Sequence, residues 1–177
     1  MAATSRSPSG SFWGSIPVAS LRGSAPATGA VTPAWLEARL ASAELRVLDV
    51  RADTVRDRYP ARRGLPSGYV KGHIPGSVAL DVRTVLFDES GDVVSAPELA
   101  MAMSALGVGD GHTIVLVDAF RSDADTAVAA AWALARYGHE DVYVLEGGFA
   151  RWSGEGRAVS RELVRHAPAS FTARVSS

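Results

Sequence analysis

The densest run of chemically competent side chains is Asp118-Ala119-Phe120-Arg121-Ser122-Asp123-Ala124-Asp125-Thr126, directly after the apolar run Thr113–Val117. Carboxylates held close together resist ionising all at once. One of Asp118, Asp123 and Asp125 could therefore keep a proton near neutral pH and act as a general acid or base. A second set, Arg51, Arg58, Arg62, Arg63 and Lys71, has the residue types that bind an anionic substrate through charge-assisted hydrogen bonds. Both sets have plainer readings, which are favoured. An aspartate ahead of a helix caps it. Arginines in a loop form a solvated, weakly paired surface.

Other chemistries are excluded. The chain has no cysteine, which removes disulfides, zinc–cysteine sites, iron–sulfur clusters and any thiol nucleophile of its own. His73, His112, His139 and His166 are scattered without paired ligand spacing, so no metal site is expected. Gly107-Val-Gly109-Asp-Gly111 precedes a strand instead of following one, and reads as a turn instead of a phosphate loop. No cofactor is implied. A net charge of −1 and the lack of a basic helix or aromatic platform argue against nucleic acid. No apolar run reaches the roughly 20 residues that span a membrane.

The elements that must position these residues follow from pattern. With 177 residues, 47% of them hydrophobic, the chain fits one soluble domain with a tail. Residues 1–30, rich in Ser, Ala, Gly and Pro and free of acid, read as a flexible arm. They lack the apolar h-region of a secretory signal, and the cytoplasm is expected. An organelle transit peptide is the lesser alternative. Residues 31–160 form the domain and 161–177 a linker-like tail. Thr32-Pro33 starts a helix that carries Trp35, Leu36 and Leu40. Strands are expected at 46–50, 77–81, 113–117 and 142–145. Residues 51–68 read as an arginine-rich loop. Helices are expected from Ser95 to about Leu106, from Asp123 to Tyr137 with Gly138 beyond its end, and from Phe149 to Ser153. Alternating strands and helices predict an α/β domain with a mainly parallel sheet, covered on both faces, and with its site beyond the carboxyl ends of the strands.

The order of motifs resembles the rhodanese family, the thiosulfate sulfurtransferases. The matching runs are Val47-Leu48-Asp49-Val50-Arg51, Gly72-His73-Ile74-Pro75-Gly76, Thr113–Asp118, and Leu145-Glu146-Gly147-Gly148-Phe149 with Trp152. The resemblance covers about residues 31–160 and implies a central parallel five-stranded sheet flanked by helices on both faces. It also implies a cysteine at the end of the central strand, in a C-R-x-G loop whose backbone N–H groups favour a thiolate. The present sequence departs there: Ala119 stands where a cysteine would, the loop glycine is absent, and aspartates would repel an anion. Asp118, the spacing to Tyr137-Gly138-His139 and the ending Ala167–Arg174 resemble the cysteine-less first domain of tandem sulfurtransferases.

Bottom-up, His73 is a structural histidine at a tight turn, and Trp132 and Trp152 are core. The expected function is a non-catalytic subunit or scaffold that docks a cysteine-bearing partner, either a second rhodanese-like domain or a sulfur-carrying protein, or else a homo-oligomer. The alternative is an enzyme using the aspartates of 118–125 for acid–base chemistry on an anion held by the arginine rim.

Overall fold

Alternation along the central strand sets the layers. In β4 (Thr113–Val117), Ile114 and Leu116 enter one apolar cluster, while Val115 and Val117 enter the other, and all four are fully buried. A strand enclosed on both faces reads as one continuous apolar run. The computed structural model describes residues 29–51, 67–119 and 125–175. The other strands are β1 (Gly29–Val31), β2 (Leu45–Asp49), β3 (Val78–Ala79) and β5 (Val142–Leu145). The sheet runs β1-β5-β4-β2-β3 and every pairing in it is parallel.

The helices are α1 (Pro33–Glu37), α2 (Ser67–Lys71), α3 (Val82–Val85), α4 (Ala96–Ala105), α5 (Asp125–Arg136) and α6 (Gly148–Gly154). Leu36 of α1 and Trp152 of α6 cover one face of the sheet with Val31, Val47 and Ile74. Val82 of α3, Leu99 and Met103 of α4, and Leu134 of α5 cover the other with Leu48 and Val142. The alanines Ala127, Ala129, Ala130 and Ala133 of α5 are fully buried, and their small side chains let this helix lie close to the sheet. The expected α/β architecture, layered on both faces, is present.

Local signals account for most boundaries. The Thr32 hydroxyl accepts a hydrogen bond from the Trp35 amide at 3.1 Å, and Pro33 opens α1. The Glu98 carboxylate accepts from the Ser95 amide at 2.9 Å and from its hydroxyl at 2.6 Å, half of a capping box at α4.

Four features differ from expectation. β1, three residues long, is too short for alternation to register and exists through its pairing with β5. The strand expected over 77–81 shrinks to Val78–Ala79, because the Asp81 carboxylate accepts from the Arg83 and Thr84 amides and caps α3. The loop expected over 51–68 runs into α2 from Ser67, its residues 52–66 lying outside the described ones. Finally, residues 157–175 form a strap tied to the domain. The Ala169 amide donates to the Ser104 carbonyl, both the Thr172 amide and hydroxyl donate to Asp110, and the Arg174 amide donates to the Tyr137 carbonyl. Phe171 is buried in the larger cluster, its ring 5.4 Å from that of His139.

Candidate functional site

The chain leaves β4 at Asp118, which is buried at the carboxyl edge of the sheet. One carboxylate oxygen accepts from the Ala119 amide at 2.7 Å, and the other from the Ala127 amide in the first turn of α5 at 3.1 Å. The side chain thus ties the end of β4 to the start of α5. An anionic acceptor suits that task, since it meets two backbone donors near a helix start.

The Asp118 carbonyl accepts from the Phe149 amide at 2.7 Å, and the Ala119 carbonyl from the Ala150 amide at 3.1 Å. These bonds stitch β4 to the start of α6. They require an unusually close approach: a Cβ on Gly148 would lie 2.3 Å from the Asp118 carbonyl oxygen. Gly147 and Gly148 have φ of +73° and +59°, a region that side-chain-bearing residues avoid. The Gly-Gly pair at the end of β5 is therefore a packing requirement of this edge.

Next to it, β2 ends in a buried ion pair. The Arg51 guanidinium donates to Asp49 through Nε at 2.9 Å and through Nη2 at 2.7 Å. Nη2 also donates to the Gly72 carbonyl at 2.7 Å, and the guanidinium carbon stacks 3.9 Å from the Phe149 ring centroid. Arg51 is 8% exposed and Asp49 1%. Such an arrangement balances desolvation with charge and geometry, and it joins β2, the 72–73 turn and α6 at one point. Beneath it, the Tyr69 hydroxyl donates to the Ser77 carbonyl at 2.6 Å. Burial, helped by the Asp49 charge, pushes its pKa up to about 12, so it stays a neutral donor.

His73 is fully buried and stacked on Tyr69, with ring centroids 3.9 Å apart. Its Nδ1 lies 2.8 Å from the Tyr69 carbonyl oxygen and its Nε2 2.8 Å from that of Glu162, so both nitrogens serve the backbone, as the plainer reading held. Trp152 is fully buried, with its indole N–H donating to the Ala158 carbonyl at 2.8 Å.

Of the residues expected to form the site, Asp118, Ala119 and Arg51 come together at the carboxyl edge, bridged by Phe149. Ala119 presents only a methyl group. Asp125 opens α5. Lys71 ends α2 and is exposed, and its carbonyl accepts from Arg161. Phe120, Arg121, Ser122 and Asp123, with Arg58, Arg62 and Arg63, lie outside the described residues. Sequence reasoning missed Asp49 and Phe149. A signal for Asp49 existed: residues i and i+2 of an extended segment share a face, which sets Asp49 beside Arg51. Phe149 had none, because its contact depends on the β4–α6 stitch. Among the described residues, no cluster of His, Asp and Glu could hold a metal ion, and no helix is long and apolar enough to cross a membrane.

Comparison with known proteins is consistent with this geometry. Residues 32–155 match the family model of the Rhodanese-like domain. A Mycolicibacterium smegmatis protein named "Putative thiosulfate sulfurtransferase" is 31% identical over 145 residues, covering 81% of this chain and 47% of the relative. The sulfur carrier protein TtuD of Thermus thermophilus is 29% identical over 144 residues, covering 80% of this chain and 45% of its own. The chain thus spans about half the length of the curated relatives it matches. Among solved structures, the 3-mercaptopyruvate sulfotransferase SseA of Escherichia coli superposes with a TM-score of 0.71 at 26% identity, over 84% of this chain and 56% of that one. Tum1 of Saccharomyces cerevisiae, with a TM-score of 0.62 at 20% identity over 84% of this chain and 50% of that one, shares the fold.

Proposed function

The chain belongs to the rhodanese family, and from that premise we propose that it is a non-catalytic member, a subunit that docks a cysteine-bearing sulfur-transfer domain and forms one wall of its site. One observation carries the reading: β4 delivers Asp118-Ala119 to the carboxyl edge of the sheet, in a chain without any cysteine. Sulfur transfer through a covalent persulfide needs a thiolate, and neither a methyl group nor a carboxylate held by two amides replaces one. A buried carboxylate at that edge also disfavours an anionic donor such as thiosulfate. The greater length of the relatives supports one class of partner. They hold roughly another such length of chain, so a second rhodanese-like or sulfur-carrying domain is the fitting complement, with a second copy of this chain as the lesser one.

The test is affinity capture of the tagged chain from its native cell, followed by native mass spectrometry and reconstitution. The expected result is a stoichiometric partner bearing a C-R-x-G-type loop, and a complex that transfers sulfur from thiosulfate while this chain alone does not. A monomer without such a partner, or sulfur transfer by this chain alone, overturns the reading.

A further inference from the structure

The strap does not seal against the sheet. It is anchored at one end where Ser160 and His73 exchange backbone hydrogen bonds of 2.9 and 2.8 Å, and at the other by the Ala169 amide on the Ser104 carbonyl at 3.0 Å. Between these anchors it spans a cavity of about 620 Å³ at the outer edge of β3. Val78 of that strand, Ala105 and Leu106 at the end of α4, and Leu163 and Arg165 of the strap form its walls, with His166 between it and a neighbouring cavity of about 310 Å³. The larger volume lies within the roughly 300–1,000 Å³ of small-molecule sites.

The permanently charged side chains lining the two cavities, Arg165 in the larger and Arg46 in the smaller, have one sign. Neither cavity is lined by Asp or Glu, while Arg165, His166 and Arg46 line one or both. The Arg46 guanidinium donates only to carbonyls, to Gly107 through Nε at 2.8 Å and to Ala43 and Leu45 through Nη1 at 2.9 Å. Among the described residues it has no carboxylate partner. His166 Nε2 lies 3.2 Å from the Gly76 carbonyl oxygen. Val78, Leu106, Leu163, Val164 and Pro168, with the Tyr69 ring, form most of the rest of the larger cavity's wall, and Leu163 is 49% exposed, one of four exposed large apolar side chains among the described residues. A mainly apolar wall beside the Arg165 guanidinium, with no carboxylate in the lining, favours one kind of occupant.

We propose that the cavity under the strap is a binding site for a small organic anion with an apolar body, such as a carboxylate or sulfonate on an aromatic ring. Its head group meets Arg165 and His166, and its body covers Leu106 and Leu163. None of Asp118, Ala119 and Gly148 lines either cavity, and the proposal stands independently of the docking reading.

The probe is 8-anilinonaphthalene-1-sulfonate, titrated into the full chain and followed by fluorescence, alongside its neutral analogue N-phenyl-1-naphthylamine. The expected result is saturable one-to-one binding, with half-saturation on the order of tens to hundreds of micromolar. The neutral analogue binds at least about tenfold more weakly, by loss of one charge-assisted contact. Ala105→Phe, at an exposed helix end, fills the cavity and weakens binding about tenfold or more. Arg165→Ala, at an exposed position, weakens the anion but not the neutral analogue. Unchanged cooperative melting of each variant separates these effects from probe binding to a loosened fold. No saturable binding at millimolar probe, equal binding of the neutral analogue, or binding indifferent to both substitutions overturns the proposal.

Discussion

Replacing Gly148 by alanine sets the packing of the β4–α6 junction against backbone strain alone. The added Cβ would lie 2.3 Å from the Asp118 carbonyl oxygen, 3.0 Å from its carbonyl carbon and 3.1 Å from the Ala119 carbonyl carbon. These are backbone atoms and cannot rotate away, so the end of β4 or the start of α6 must shift. The shift breaks the 2.7 Å bond from the Phe149 amide to Asp118 and the 3.1 Å bond from the Ala150 amide to Ala119. A left-handed alanine costs about 1–2 kcal/mol, each lost bond about 1 kcal/mol, and the overpacking about 1–3 kcal/mol. The expected loss is about 4–7 kcal/mol from a total stability of about 5–15 kcal/mol. At about 2–4 °C per kcal/mol for a chain of this size, Tm falls by about 10 °C or more. Gly76→Ala is the matched control. Gly76 has φ +79° with no atom within 4 Å of its would-be Cβ, so it bears the strain of about 1–2 kcal/mol without the clash. Urea and thermal unfolding of both variants provide the readout. Two variants equal within about 1 kcal/mol would refute the close approach of β4 and α6.

Three further predictions concern buried ionisable groups. Asp49→Ala strands the enclosed Arg51 guanidinium and costs about 3–5 kcal/mol in urea unfolding, while adding Arg51→Met recovers much of the loss; no recovery would show that the pair is not the source. Asp118→Ala removes the acceptor of two amides at 2.7 and 3.1 Å and costs about 1–2 kcal/mol, with Asp118→Asn losing less. Undiminished stability of the alanine variant would argue against the bracing role. His139 is held below its ordinary pKa of 6.5, chiefly by burial, against the opposing effects of the His112 carbonyl, Asp141 and Asp110. Its neutral form is therefore the folded form. The unfolded chain takes up the proton first, so stability present above about pH 6.5 declines as the pH falls below it. His112 is lowered in the same direction, by burial and by Arg46, His166 and His139. Substituting His139→Phe keeps a ring against Phe171 and should flatten Tm between pH 7 and 5 relative to the parent; parallel profiles would exclude His139 as a source of the slope.

Several features were legible in the sequence because their causes are local. Thr32-Pro33 and Ser95–Glu98 start helices with their own side chains, and Ile114–Val117 is apolar at every step because both its faces are covered. The missing thiol is a matter of composition, which no folding can change. Only the tertiary structure decided the rest. Arg51, read on its own, resembles an anion-binding group on a rim; Asp49, Gly72 and Phe149 enclose it. Asp118, read among its neighbours, resembles an acid–base group; the Ala127 amide makes it a brace. β1 has strand structure because β5 lies beside it, and the strap is ordered by Ser104, Asp110 and Tyr137. A charged or extended segment has the same local pattern whether solvated or enclosed. Its partner, distant along the chain, decides which, because burial and hydrogen bonding are properties of the assembled fold.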